Sequence, residues 1–177
     1  MKGIPISALL GMAITALFFL AAIFAPLIAP YGMAETVGDV WEPASAEFLL
    51  GTDNLGRDLL TRLIYGGRTT IFVASAATLL AFTLGAVLGF MAAVYGGWVD
   101  QVMSRLNDLV MSIPTLIFAL VVLSVMPVTL PILILVMGLL DSTRVFRLSR
   151  AVAVDINVMD FVEAARLRGE GQRWVIF

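Results

Sequence analysis

The sequence predicts an all-α membrane protein, a bundle of transmembrane helices. Apolar residues make up 60% of the chain and charged residues 14%. The mean hydropathy is +1.01. Apolar runs close to the roughly 20 residues that span a bilayer recur along the chain. Absences narrow the chemistry further. There is no Cys and no His, and the only lysine is Lys2. Disulfides, thiolate nucleophiles, imidazole bases and the usual zinc ligands are therefore excluded, and no metal site is expected. A phosphate-binding loop needs a lysine after its glycines, so this chain is not expected to bind ATP in that way. The net charge of −2 gives a nucleic-acid partner no electrostatic support.

The first span runs from Ile4 to about Ala29. It is too long for the core of a cleaved signal peptide, and further spans follow. Pro26 and Pro30 mark its far end. Residues 31–69 form a polar loop with six acids: Glu35, Asp39, Glu42, Glu47, Asp53 and Asp58. Late in the loop, Leu55, Leu59 and Leu63 recur every four residues, with Leu60 and Ile64 beside them. That stripe predicts a short amphipathic helix ended by Gly66-Gly67. Asp53, Asn54 and Asp58 do not have calcium-loop spacing, so capping and turn roles are expected of them.

The second span is Thr70 to Val94. Gly85 and Gly89 are either a close-packing motif or ordinary membrane glycines. Tyr95 to Asp100 turns the chain, and Arg105 is placed to pair with Asp108 at helical spacing. Leu109 to Met126 is the third span, with Pro114 expected to kink it or to end its inner segment. After the Pro127–Pro131 turn, Ile132 to Leu140 is too short to cross alone. The fourth span must continue through Asp141, Ser142, Thr143 and Arg144 to Arg147. Asp141 then lies about 15 Å along the helix. Either it belongs to a pathway-lining patch with Ser142 and Arg144, or it sits at the interface as a local ion pair with Arg144.

Asp160 to Gly169 is short, charged and amphipathic. Asp160 is placed as an N-cap, Glu163 as its capping-box partner and Gly169 as a left-handed stop. Lys2, Arg105 and the six arginines from Arg144 to Arg173 fall on one side of a four-crossing topology. Only Arg57, Arg62 and Arg68 fall on the other. The bias puts the N-terminus and residues 160–169 inside.

Glu163-Ala164-Ala165, three residues and then Gly169 resemble the EAA loop of ABC-importer permeases. Gly51-Thr52-Asp53-x-Leu55-Gly56-Arg57-Asp58, followed by Arg62 to Arg68, resembles the block ahead of the second span in the dipeptide/oligopeptide/nickel permease family, C-type subunit. Gly96-Gly97-x-Val99-Asp100 and Arg105-x-x-Asp108 fit the same pattern. Asp141 departs from the bulky apolar residue common there.

The resemblance implies a type I permease bundle with four of an expected six spans present. Residues 1–30 are the N-terminal span, 31–69 the external loop and 70–177 the start of the permease core. It also implies that the chain stops within the EAA loop, since Gln172 to Phe177 match only the start of that loop's second helix. Asp160, Phe161, Glu163, Ala164, Ala165, Arg166, Arg168 and Gly169 would couple to a separate ATPase, with Phe161, Val162 and Leu167 exposed for docking. The implied partners are a second homologous permease, two cytoplasmic ATPase subunits carrying ATP and Mg, an external solute-binding protein and the lipid bilayer. The implied location is the bacterial or archaeal cytoplasmic membrane. The implied solutes are di- or oligopeptides, with nickel, glutathione or another small solute as alternatives. An intramembrane enzyme is disfavoured, because Asp141, Ser142, Thr143 and Ser124 have no base nearby. A passive channel is the remaining alternative.

Overall fold

The computed structural model describes residues 5–170, the Arg166 side chain excepted. Lys2, Arg173 and the second-helix residues Gln172 to Phe177 lie outside the described residues. The chain divides into two compact units, Met1–Phe72 and Val73–Phe177. The regular elements are all helices: α1 (Ile6–Ile23), α2 (Ala25–Ile28), α3 (Leu59–Tyr95), α4 (Gly97–Ser112), α5 (Thr115–Val125), α6 (Leu130–Asn157) and α7 (Asp160–Leu167). The protein is an all-helical membrane bundle.

In the first unit, α1 is apolar all round and buries only Ala22. Such a helix presents its sides to lipid. Pro26 lies within the short α2, next to the break at Phe24. Residues 31–58 follow as a folded loop with one isolated bridge, between Thr52 and Asp58.

The expected short helix ending at Gly66-Gly67 is corrected: the helix starts at Leu59 and continues through both glycines to Tyr95. Glycine in a helix costs roughly 1 kcal/mol relative to alanine. The apolar run that follows imposes helix, because backbone polar groups in lipid must be satisfied within the segment.

The second unit is arranged around α6. Its buried residues are Val136, Gly138, Leu140, Ser142, Thr143, Phe146 and Ala153. The α3 backbone passes close to it at two glycines. A Cβ at Gly85 would stand 2.5 Å from the Ser142 carbonyl oxygen, and one at Gly89 would stand 2.7 Å from that of Phe146. Of the two readings of these glycines, the structure selects close packing. Gly138 answers from α6, where a Cβ would meet the Leu80 side chain at 2.7 Å.

The third span is broken at Pro114, as expected. Helix α4 ends at Ser112, Ile113 is extended, and α5 begins after Pro114. The two helices meet at 83°. Proline lacks the N–H and pushes the preceding residue out of the helical region. Helix α5, with 11 residues, is only about 16 Å long and does not cross a membrane alone. Among the described residues, α1 and α3 are long and apolar enough to cross, and the bent α4–α5 pair makes a third span if taken together. Helix α6 has the length, with 28 residues, but carries Asp141, Arg144 and Arg147 in its middle.

Candidate functional site

Three groups of side chains are placed by this framework: the α7 helix, the polar residues of α6, and a carboxylate-centred knot in the first unit.

Helix α7 spans Asp160–Leu167 and follows α6 after two residues. The Met159 carbonyl accepts N–H bonds from Val162 at 2.9 Å and Glu163 at 3.3 Å. Asp160 is therefore the first helical residue rather than the cap, a correction of one position. Asp160 and Glu163 still lie in the first turn, where a carboxylate favours the positive helix end. The far end is a left-handed stop. Gly169 has φ +83°, and the Glu170 N–H donates to the Ala165 carbonyl at 3.2 Å. That bond, five residues back, closes the Schellman pattern.

Val162 is only 3% exposed. It was expected to face a partner, but it packs against its own chain, because its position on α7 points at the end of α6. Phe161 is 63% exposed and Leu167 82%. Glu163, Ala164 and Arg168 are exposed with them, and Ala165 is half-buried. The outward face of α7 is thus Phe161, Ala164 and Leu167, flanked by Asp160, Glu163 and Arg168. The Arg166 side chain lies outside the described residues.

On α6, Asp141 pairs with Arg144, and Ser142 stands apart from both. Asp141 lines a cavity of 400 Å³ between α5 and α6, with Thr115, Leu116 and Leu133. Ser142 faces a separate cavity of 290 Å³ on the α4 side, with Leu88, Asn107 and Phe146. Its hydroxyl donates to the Leu139 carbonyl at 2.7 Å. Arg144 is exposed and reaches Asp141 at 3.6 Å. The helical spacing of 100° per residue explains the split, since neighbours on a helix do not share a face.

The expected Arg105–Asp108 pair does not form; Asp108 instead lines a polar cavity with Ser104, Arg147 and Arg150. The strong pair is Asp100 with Arg150. The Nη2 of Arg150 donates to Asp100 Oδ2 at 2.5 Å, and its Nε donates to Oδ1. This fork joins the first turn of α4 to α6 across 50 residues of sequence. No local spacing could have revealed it. About two turns further along α6, the Asn157 amide donates to the Ala93 carbonyl of α3 at 3.0 Å.

In the first unit, Gly51, Thr52, Asp53, Gly56, Arg57 and Asp58 form a knot. Gly51 and Gly56 have φ of +77° and +70°. A Cβ on Gly56 would stand 2.2 Å from the Gly38 carbonyl oxygen, so only glycine fits. The Thr52 hydroxyl donates to the Asp39 carbonyl at 2.5 Å and accepts the Glu42 N–H at 2.8 Å. Asp58 caps α3 by accepting the Thr61 N–H at 2.7 Å. The Asp53 carboxylate accepts the Leu55 N–H at 2.7 Å, the Arg57 N–H at 3.1 Å and the Arg57 Nε at 2.9 Å. The Arg62 guanidinium donates to it as well.

Burial pushes the Asp53 carboxyl upward, but the bonds from Arg57, Leu55 and Arg62 outweigh it. They hold the group well below the usual carboxylate range. Below an unfolded value of about 3.9 the unfolded loop binds the extra proton. Stability from Asp53 is therefore full above that pH and falls as the pH drops toward the folded value. Pepsin cleavage within residues 31–58 is expected to rise in the native chain below about pH 4. Asp53→Asn should be cleaved at the raised rate throughout. Equal pH profiles for the two chains would contradict this account.

The family model described as "Binding-protein-dependent transport system inner membrane component" matches residues 85–177. The chain belongs to that family. A second model, described as the N-terminal TM domain of oligopeptide transport permease C, matches residues 7–41 of this permease. Among curated proteins, it is similar to the "Dipeptide transport system permease protein DppC" of Haemophilus influenzae, 33% identical over 93% of this chain and 58% of that protein. The protein of the same name from Alkalihalophilus pseudofirmus is 32% identical over 96% of this chain and 56% of its own length. The "Oligopeptide transport system permease protein OppC" of Bacillus subtilis is 29% identical over the same shares. The permease chain thus spans a little over half the length of these relatives. The relatives' names are those of C-type permeases of dipeptide and oligopeptide transport systems.

Proposed function

We propose that this permease is a subunit of an ATP-driven peptide importer, with α7 as the helix that docks into a separate ATPase. The observation that carries this is the division of labour on α7. Among the described side chains of α7, Val162 is the buried one, while Phe161, Ala164 and Leu167 are left for another surface. The Gly169 stop fixes where the chain leaves that surface.

The relatives' names carry dipeptides and oligopeptides, which favours peptides over nickel or glutathione here. The pairing would be with a second homologous permease, two cytoplasmic ATPase subunits carrying ATP and Mg, and an external solute-binding protein. The arginine bias favours a cytoplasmic N-terminus and a cytoplasmic α7 in the cell's inner membrane. On this reading residues 1–30 anchor the chain, 31–69 lie outside, and 70–177 begin the transport core. On the same reading, Asp141 would be the α6 group that meets the pathway. Its cavity lies on the α5 side, and its neighbour Arg144 is a cation rather than the second carboxylate that aspartyl catalysis requires.

Coupling by α7 needs contacts that differ between the two states of the ATPase. Glu163→Arg reverses the charge in the first turn. Gly169→Val puts a β-branched residue at φ +83°. In the full transporter, each is expected to cut ATP-dependent uptake at least tenfold while the subunit still reaches the membrane. Unchanged uptake together with unchanged ATPase association in both variants would refute the docking role.

A further inference from the structure

A groove of 620 Å³ lies within the first unit, between α1 and the beginning of α3. Its α1 wall is Phe18, Ala21 and Ala22. Its α3 wall includes Gly66, Gly67 and Ile71, with Arg62 and Arg68 also lining it. The lining is almost entirely apolar apart from the two arginines. At Gly66 and Gly67 a Cβ would meet nothing within 4 Å, so no neighbouring side chain covers this stretch of backbone. The two arginines differ. Arg62 is committed to Asp53. Arg68 makes no ion pair among the described residues and is exposed.

The groove faces the medium that surrounds α1, a helix whose sides are turned to lipid. Void space there is filled from the bilayer, because an apolar surface left uncovered loses its dispersion contacts. The volume is within the range of ordinary ligand pockets. The anion available at the end of a membrane-spanning helix is the phosphodiester of a lipid, and an arginine at that depth snorkels toward it. We infer that this groove is a phospholipid site: an acyl chain lies over Gly66 and Gly67 against Phe18 and Ile71, and Arg68 holds the phosphate. The site belongs to the leaflet at the α2 end of α1, and its occupancy does not depend on which solute the transporter carries. A further helix, from this chain or from a partner, is the competing occupant.

Native mass spectrometry of the full transporter in mild detergent distinguishes the two. One phospholipid per copy of this subunit is expected to survive delipidation. Gly67→Phe fills the groove from a position with open space, so the complex should assemble but lose the lipid. Arg68→Gln should weaken retention about tenfold, the loss of one charge-assisted contact, and Arg68→Lys should restore most of it. Three results would each overturn the proposal. The wild-type complex retains no lipid; Gly67→Phe keeps the full lipid count; or Gly67→Phe blocks assembly, which means the groove seats a helix.

Discussion

Gly85→Ala is expected to destabilise the bundle by about 1–3 kcal/mol, the range for overpacking a tight contact. The same substitution at Gly66, on the same helix, should stabilise by about 0.5–1 kcal/mol. The sign reverses because of what each Cβ would meet. At Gly85 it would lie 2.5 Å from the Ser142 carbonyl oxygen, 2.6 Å from Val145 Cβ and 2.9 Å from the Phe146 nitrogen. Two of those atoms are α6 backbone and cannot rotate away, so the helices must separate. At Gly66 nothing lies within 4 Å, and only the entropy gain of alanine remains. Gly89→Ala should behave like Gly85→Ala, since the Phe146 oxygen and the Arg150 nitrogen lie at 2.7 and 2.9 Å. Unfolding in mixed micelles with increasing denaturing detergent reads the difference. Equal midpoints for Gly85→Ala and the native chain would remove close backbone packing as the basis of the α3–α6 contact.

The second large effect is expected at Arg150. Its guanidinium grips Asp100 through two bonds, and the Asp100 side chain is only 20% exposed. Arg150→Ala would leave that carboxylate with the Ser104 hydroxyl, at 3.3 Å, as its remaining side-chain donor. Breaking a fully buried pair costs about 3–5 kcal/mol. Partial exposure of Arg150 brings the expected loss to about 1–3 kcal/mol. The double exchange Asp100→Arg with Arg150→Asp should recover part of it, and a double-mutant cycle isolates the pair. Zero coupling in the cycle would mean that the pair is incidental. Uptake should fall with stability, because the fork fixes α4 to the segment of α6 that leads into α7.

Much of this bundle was legible in the sequence because lipid makes the rules strict. Apolar length marked α1 and the membrane part of α3, with Pro26 and Pro30 after the first and Arg68 ahead of the second. Pro114 announced the break between α4 and α5, though not the 83° turn, which depends on how α5 packs on α6. Gly66-Gly67 misled because glycine's cost in a helix is set for water, where the backbone has an alternative partner. On α7, Gly169 was readable as a stop, while the inward turn of Val162 depended on where α6 ends. Of the three polar residues of α6, Asp141 and Arg144 stay paired as their spacing allows, while Ser142 turns to another cavity. The Asp100–Arg150 fork carried no local signal; only the packing of α4 on α6 brings the two together.

The Asp53 knot also sets an order of events during synthesis. Its carboxylate takes bonds from Leu55, Arg57 and Arg62, all later in the chain. Gly56 closes against Val37 and Gly38 through its carbonyl, at 2.8 and 3.1 Å. The Arg62 bond does not exist until the ribosome has passed the start of α3. The loop can close on itself through Thr52 and Gly56 as residues 37–57 emerge, and the Asp53 carboxylate gains its last partner only as the next helix begins to form. The start of α3 acts as the final clasp of the loop before it.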